Sequence, residues 1–131
     1  MRPRWRTSLG TLAVVVLAGS CGVEEPLVQE AVVELASPRL DDGAVAFTVT
    51  TPAGAPLRSV VPACDGCEVF LQRVGETTVN LIVTGQLPRG PVARLEMTQG
   101  LPPTWFRVRL VAVASRTYQS RSLTGYGLTV R

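Results

Sequence analysis

The stretch Ala44-Val45-Ala46-Phe47-Thr48-Val49-Thr50 decides the fold class of this chain. Its large apolar side chains, Val45, Phe47 and Val49, alternate with small or polar ones. Successive side chains of a β-strand point to opposite faces, so this alternation predicts a strand with one buried and one exposed face. A core built from such strands belongs to the all-β class.

Six further segments alternate with the same period of two. They are Val32–Ala36, Glu68–Val74, Thr78–Thr84, Val92–Met97, Trp105–Ser115 and Gly125–Val130. Turn-forming groups rich in Gly, Pro and Asp separate them: residues 41–43, 51–54, 74–76, 88–91 and 100–103. Short strands at this spacing predict a single all-β sandwich of about seven strands over residues 31–131.

The N-terminal segment has the pattern of an export signal. Met1 to Arg6 carries three Arg, and Leu9 to Gly19 is uncharged. A basic start, a short apolar run and small residues before a cleavage point are typical of a signal peptide, here a helical one over residues 1–20. The apolar run is too short to span a bilayer.

The residues Leu17-Ala18-Gly19-Ser20-Cys21 resemble the lipobox of bacterial lipoproteins, although Leu is commoner than Ala18 at its position. The resemblance implies cleavage before Cys21, diacylglycerol on its sulfur and attachment to a membrane. Gly22, where some lipoproteins have Asp, favours the outer membrane by the same analogy. Residues 21–30 are then a lipidated tether. The alternative is an ordinary cleaved signal with an incidental cysteine.

Charge and composition exclude several classes of function. The chain has 13 basic residues, all Arg, against 10 acids, and no His. Three of the Arg lie in the leader, so the mature chain has 10 Arg and 10 acids, which predicts no nucleic-acid partner. Without His, the usual general base and the commonest metal ligand are missing. We therefore expect no enzyme, cofactor or metal site.

The motif Cys64-Asp65-Gly66-Cys67 is the most specific in the mature chain. Asp-Gly favours a tight turn, whose ends are close enough for a disulfide, and an exported protein can keep one. The alternative is a thiol redox site, although such pairs open a helix and the residues that follow here predict a strand. Haem attachment is excluded by Glu68, where a His is required. A zinc site lacks its other two ligands.

Residues 106–122 resemble the penultimate strand and following loop of fibronectin type III and related Ig-like modules. The resemblance rests on Phe106, Val108, Leu110 and Ala112, with Phe106 where a Tyr is usual. It implies an Ig-like sandwich. If these residues and Ala114 face the core, the neighbouring side chains face outward.

The outward face of that strand is the candidate ligand surface. It carries Trp105, Arg107 and Arg109, with Tyr118 in the following loop. Arg and aromatic side chains together suit an acidic glycan or a lipid headgroup. The alternative is that the Arg residues pair with acids on neighbouring strands.

Asp41 and Asp42 are adjacent in a turn before a Gly, which predicts two solvated carboxylates rather than a catalytic pair. The function expected from the sequence is a lipid-anchored binding or structural module of the cell envelope, docking on other envelope proteins. A glycan- or acidic-ligand-binding lipoprotein is the first alternative, and a thiol redox protein using Cys64 and Cys67 is the second.

Overall fold

The computed structural model describes residues 27–131, and the predicted signal peptide and the predicted lipidation residue Cys21 lie outside them. The described chain forms eight strands and one 3-10 helix: β1 Val28–Ala36, β2 Asp42–Thr50, β3 Leu57–Pro62, β4 Glu68–Arg73, β5 Thr78–Thr84, β6 Gly90–Leu101, η1 Pro103–Trp105, β7 Arg107–Ser115 and β8 Gly127–Val130.

The strands form two antiparallel four-stranded sheets. Sheet I has the order β3-β6-β1-β8, and sheet II has the order β4-β5-β2-β7. The alternating apolar side chains of both sheets meet in one core, with Val33, Leu95, Phe47 and Leu81 among its most buried members. The predicted all-β sandwich is confirmed. The strand order differs from that of an Ig constant domain. Here β1 and β2 lie in opposite sheets, whereas the first two strands of an Ig constant domain lie in the same sheet.

Strand β3 is an eighth strand that the sequence analysis missed. A register shift between Leu57 and Ser59 interrupts its alternation, and Pro62 closes it. Strand β1 also begins four residues before the predicted first strand. Residues 28–30 therefore belong to the sandwich, although they were predicted to be part of the tether.

A β-bulge in β7 corrects the predicted orientation of that strand. Ala46 is opposite Ala112 and Phe47 is opposite Leu110, which leaves Val111 as the extra residue. A bulge moves every later side chain to the other face. Val113 is therefore buried and Ala112 exposed, contrary to the prediction that Ala112 faces the core.

The connection from β6 to β7 also differs from the prediction. Trp105 ends the short helix η1, and β7 begins at Arg107. Strand β6 extends from Gly90 to Leu101, through residues predicted as turns at both ends. With twelve residues, β6 is long enough to pair with β1 on one side and with β3 on the other.

Candidate functional site

The outer face of sheet I carries acids that are matched by neighbouring polar or basic groups. Arg94 Nε lies 3.7 Å from a carboxylate oxygen of Glu30, and Arg131 pairs with Glu34. Glu96 accepts a hydrogen bond from the hydroxyl of Ser59 on β3. Paired charges of this kind keep a sheet face solvated and offer little apolar surface to a partner.

The outer face of sheet II is different, because an apolar row crosses all four of its strands. Phe70 is opposite Ile82, Ile82 is opposite Ala46, and Ala46 is opposite Ala112. The bulge adds Val111 to this face. Phe70 is 56% exposed, Val111 48% and Ile82 45%. We call the five residues of this face the apolar row: Phe70, Ile82, Ala46, Ala112 and Val111.

A polar row borders the apolar row on the same face. Thr48 donates its hydroxyl hydrogen to Asn80 Oδ1 at 2.9 Å, and Arg109 lies opposite Thr48 on β7. The groove between the two rows is open to solvent and has a volume of about 360 Å³. It is lined by Thr48, Gln72, Asn80, Ile82, Arg109 and Val111.

The ion pairs found within residues 27–131 involve neither Arg107 nor Arg109. The interpretation that these two Arg pair with acids on neighbouring strands is therefore wrong for the described chain. Both side chains are exposed on the edge strand β7. Arg109 lies in the polar row beside the apolar row and gives it a positive border, while Arg107 lies one row farther toward the start of β7.

The structure separates the four predicted ligand-face residues. Trp105, 55% exposed, and Arg107 lie at the start of β7, beside Thr50 and Thr51. Tyr118, 90% exposed with a φ of 63°, follows the other end of β7. The nine-residue strand between them is about 26 Å long. A small ligand cannot contact Trp105 and Tyr118 together.

No family model, curated protein or solved structure matches this chain. The candidate site is therefore argued from its own geometry.

A second polar cluster surrounds Asp42 at the end of the sandwich that holds Tyr118. Asp42 is 1% exposed, so the prediction that both turn carboxylates are solvated is wrong for this residue. Its Oδ1 accepts hydrogen bonds from Tyr126 at 2.7 Å and from Arg121 Nη1 at 3.1 Å. Its Oδ2 accepts a third from the Ser37 hydroxyl. The carboxylate joins the β1–β2 loop to the long β7–β8 loop.

Arg121 is shared between the two neighbouring carboxylates. Its Nη2 lies 2.7 Å from Asp41 Oδ2, and this hydrogen bond holds the pKa of Asp41 below its usual value and raises the pKa of Arg121. A cleft of about 660 Å³ beside Arg121 is lined by hydroxyl, amide and Arg side chains. Because two acids already neutralise Arg121, we assign this cluster to joining the loops and not to ligand binding.

Cys64 and Cys67 form a disulfide in the turn between β3 and β4, with Cα atoms 5.5 Å apart. The amide of Cys67 donates to the carbonyl of Cys64, and Gly66 supplies the positive φ that the turn needs. A strand follows the pair, as predicted, and Cys67 is buried in the core. The disulfide therefore closes the crossover between the edge strands of the two sheets.

Replacing both Cys64 and Cys67 with serine is expected to destabilise the domain by about 2 kcal/mol, because a four-residue loop is no longer closed in the unfolded chain. Urea unfolding of oxidised wild type and of the double variant measures this difference. Reduced wild type is the matched control and should unfold at the same urea concentration as the double variant. Equal midpoints for oxidised and reduced wild type would contradict a stabilising role.

Within residues 27–131, no group of three or more His, Cys, Asp or Glu side chains is arranged to hold a metal ion. In the same residues, no helix is long and apolar enough to cross a membrane.

The apolar row was missed by the sequence analysis, although a signal for it is present. Three strands contain consecutive apolar residues, Val69-Phe70-Leu71, Leu81-Ile82-Val83 and Leu110-Val111-Ala112. Strict alternation allows only every second side chain to face the core. Each of these runs must therefore expose an apolar side chain on the outer face.

Proposed function

We propose that the mature chain is an exported lipoprotein, anchored through lipid on Cys21, which serves as a non-catalytic binding module of the cell envelope. The lipobox-like sequence supports the anchor. The contrast between the two outer sheet faces supports the binding role. Sheet I presents matched charges, while sheet II presents an apolar row next to Arg109, which has no acidic partner in the described chain.

The observation that carries the binding role is the apolar row, because it is continuous across four strands of a rigid sheet. Contiguous exposed apolar side chains with a polar border are typical of protein-binding surfaces. Arg109, which lies in the polar row beside the apolar row, selects the partner by charge, since a docked acid would pair with it. The partner is therefore an envelope protein whose contact surface is apolar with an acidic border.

A photo-crosslinking residue in place of Ile82 tests the binding role in intact cells. We expect a protein adduct whose crosslinked peptide contains apolar and acidic residues. Phe70→Ala should reduce its yield, because losing a buried Phe contact costs about 1.5–3 kcal/mol, or about tenfold or more in affinity. Arg109→Glu should reduce it too, by placing like charges together.

The same photo-crosslinking residue at Thr129, exposed on the outer face of sheet I, is the matched control and should give no such adduct. Equal adducts from positions 82 and 129 would contradict a specific face. An adduct at position 82 that Arg109→Glu leaves unchanged would contradict the acidic partner. An adduct with a glycan would favour the glycan-binding alternative instead.

The anchor is tested separately, by mass spectrometry of the mature protein purified from membranes. The expected N-terminal residue is Cys21 carrying diacylglycerol on its sulfur. The Cys21→Ser variant should lack the lipid and leave the membrane fraction. An intact leader, or a processed start without acyl groups, would contradict the anchor.

A further inference from the structure

We infer that the end of the sandwich at which β1 begins rests on the lipid bilayer, with Trp105 in the headgroup region. This inference rests on the proposed lipid anchor and adds an orientation and a lipid-contacting surface to it. We call this end the proximal end. It comprises Leu27, the β2–β3 loop, the β4–β5 turn and the β6–β7 connection.

Strand pairing places these segments together. Val28 is opposite Leu101, just before η1, and Thr50 is opposite Arg107, just after it. The amide of Thr51 donates to the carbonyl of Thr77, which brings the β4–β5 turn to the same end. The start of the described chain and Trp105 are therefore neighbours at one end of the sandwich.

The length of chain between the anchor and the sandwich limits how the domain can be oriented on the membrane. Five residues, 22–26, lie between Cys21 and Leu27, so the Cα atoms of Cys21 and Leu27 are at most about 20 Å apart in a fully extended chain. The opposite end, with Tyr118, is farther from Leu27 by the length of a strand, about 26 Å. If that end faced the bilayer, this segment could not reach the lipid. The proximal end is the end that stays near the membrane.

The proximal end has the chemistry of a bilayer interface. Three apolar side chains project there with high exposure: Leu27 at 67%, Val74 at 59% and Trp105 at 55%. Trp is enriched at the headgroup level of membranes because its ring is apolar and its indole N–H is polar. Arg107, exposed on β7 beside Trp105, can pair with a lipid phosphate. The β4–β5 turn at the same end carries one acid, Glu76.

Tryptophan fluorescence provides a direct test, because Trp5 lies in the leader and Trp105 is the single Trp of the mature chain. The lipidated protein is inserted into vesicles of phosphatidylethanolamine and phosphatidylglycerol, and iodide quenching is compared with that of the unlipidated domain in solution. We expect a blue-shifted emission and about threefold weaker iodide quenching in vesicles, since the ring sits among headgroups. Brominated lipids should quench the emission.

Two variants of the lipidated protein serve as matched controls. Trp105→Phe with Tyr118→Trp moves the probe to the opposite end, where iodide quenching should stay the same in vesicles and in solution. Trp105→Phe with Ile82→Trp reports on the apolar row, which should also remain accessible. Protection of a probe at position 82 or 118 would overturn the orientation.

The outcomes separate this inference from the anchor itself. If mass spectrometry finds lipid on Cys21 while Trp105 stays fully accessible to iodide in vesicles, the contact is overturned and the anchor stands. If Cys21 carries no lipid, the anchor and the contact both fail.

Discussion

Replacing Asp42 with alanine is expected to destabilise the domain by about 3 kcal/mol, because a buried carboxylate that satisfies three donors is lost. Tyr126 would lose its acceptor in a site where Asp42 is 1% exposed, while the Ser37 hydroxyl would keep only the carbonyl of Arg39 as an acceptor. Arg121 keeps a second carboxylate, that of Asp41, which limits the cost. For a domain of about 100 residues this corresponds to a fall of roughly 15 °C in Tm.

Thermal and urea unfolding measure this effect, with two matched variants. Asp42→Asn keeps an oxygen acceptor and should lose less stability than Asp42→Ala. Asp41→Asn changes the neighbouring carboxylate, whose side chain is 62% exposed, and should have a far smaller effect. If Asp41→Asn were as destabilising as Asp42→Ala, the burial of Asp42 would not be the cause.

Replacing Phe47 with alanine is expected to cost about 4 kcal/mol, because it leaves a cavity at the centre of the core. Phe47 is 1% exposed and lies on β2, between Leu81 of β5 and Leu110 of β7. Both neighbours are held by strand pairing, so the cavity cannot close fully. The free energy of unfolding of a domain of this size is typically about 5–15 kcal/mol, so the variant would retain only part of it.

Chemical denaturation of Phe47→Ala and Ile82→Ala compares an inward and an outward apolar side chain. Ile82 is 45% exposed, so its truncation should cost less than about 1 kcal/mol. Phe47→Leu should recover much of the stability by refilling the cavity. Similar losses for Phe47→Ala and Ile82→Ala would contradict the assignment of their faces.

Strict alternation made most of the fold predictable. The run Ala44–Thr50 forms all of β2 except its first two residues, and Val45, Phe47 and Val49 are all buried. The predicted sandwich followed from segments of this kind. Alternation failed where the backbone departs from regular pairing, because a bulge changes which side chains face inward. Val111 reversed the orientation of Ala112, and the shift between Leu57 and Ser59 hid β3.

The candidate site and the polar cluster around Asp42 were less predictable than the fold. Asp42 reads as a turn residue in the sequence, and its burial depends on Arg121 and Tyr126, about 80 residues away along the chain. The separation of Trp105 from Tyr118 depends on the length of β7. The disulfide was predictable, since its geometry is contained within four residues.

The pairing of β1 with β8 has a consequence for the timing of folding. Leu35 of β1 lies opposite Leu128, so sheet I gains its last strand only when the distal part of the polypeptide is available. Likewise, β2 must wait for β7. During synthesis, the earliest strands therefore remain without their final neighbours until nearly the whole sandwich has been translated. Such a delay would keep the polypeptide extended during synthesis, as the proposed export through a translocation channel requires.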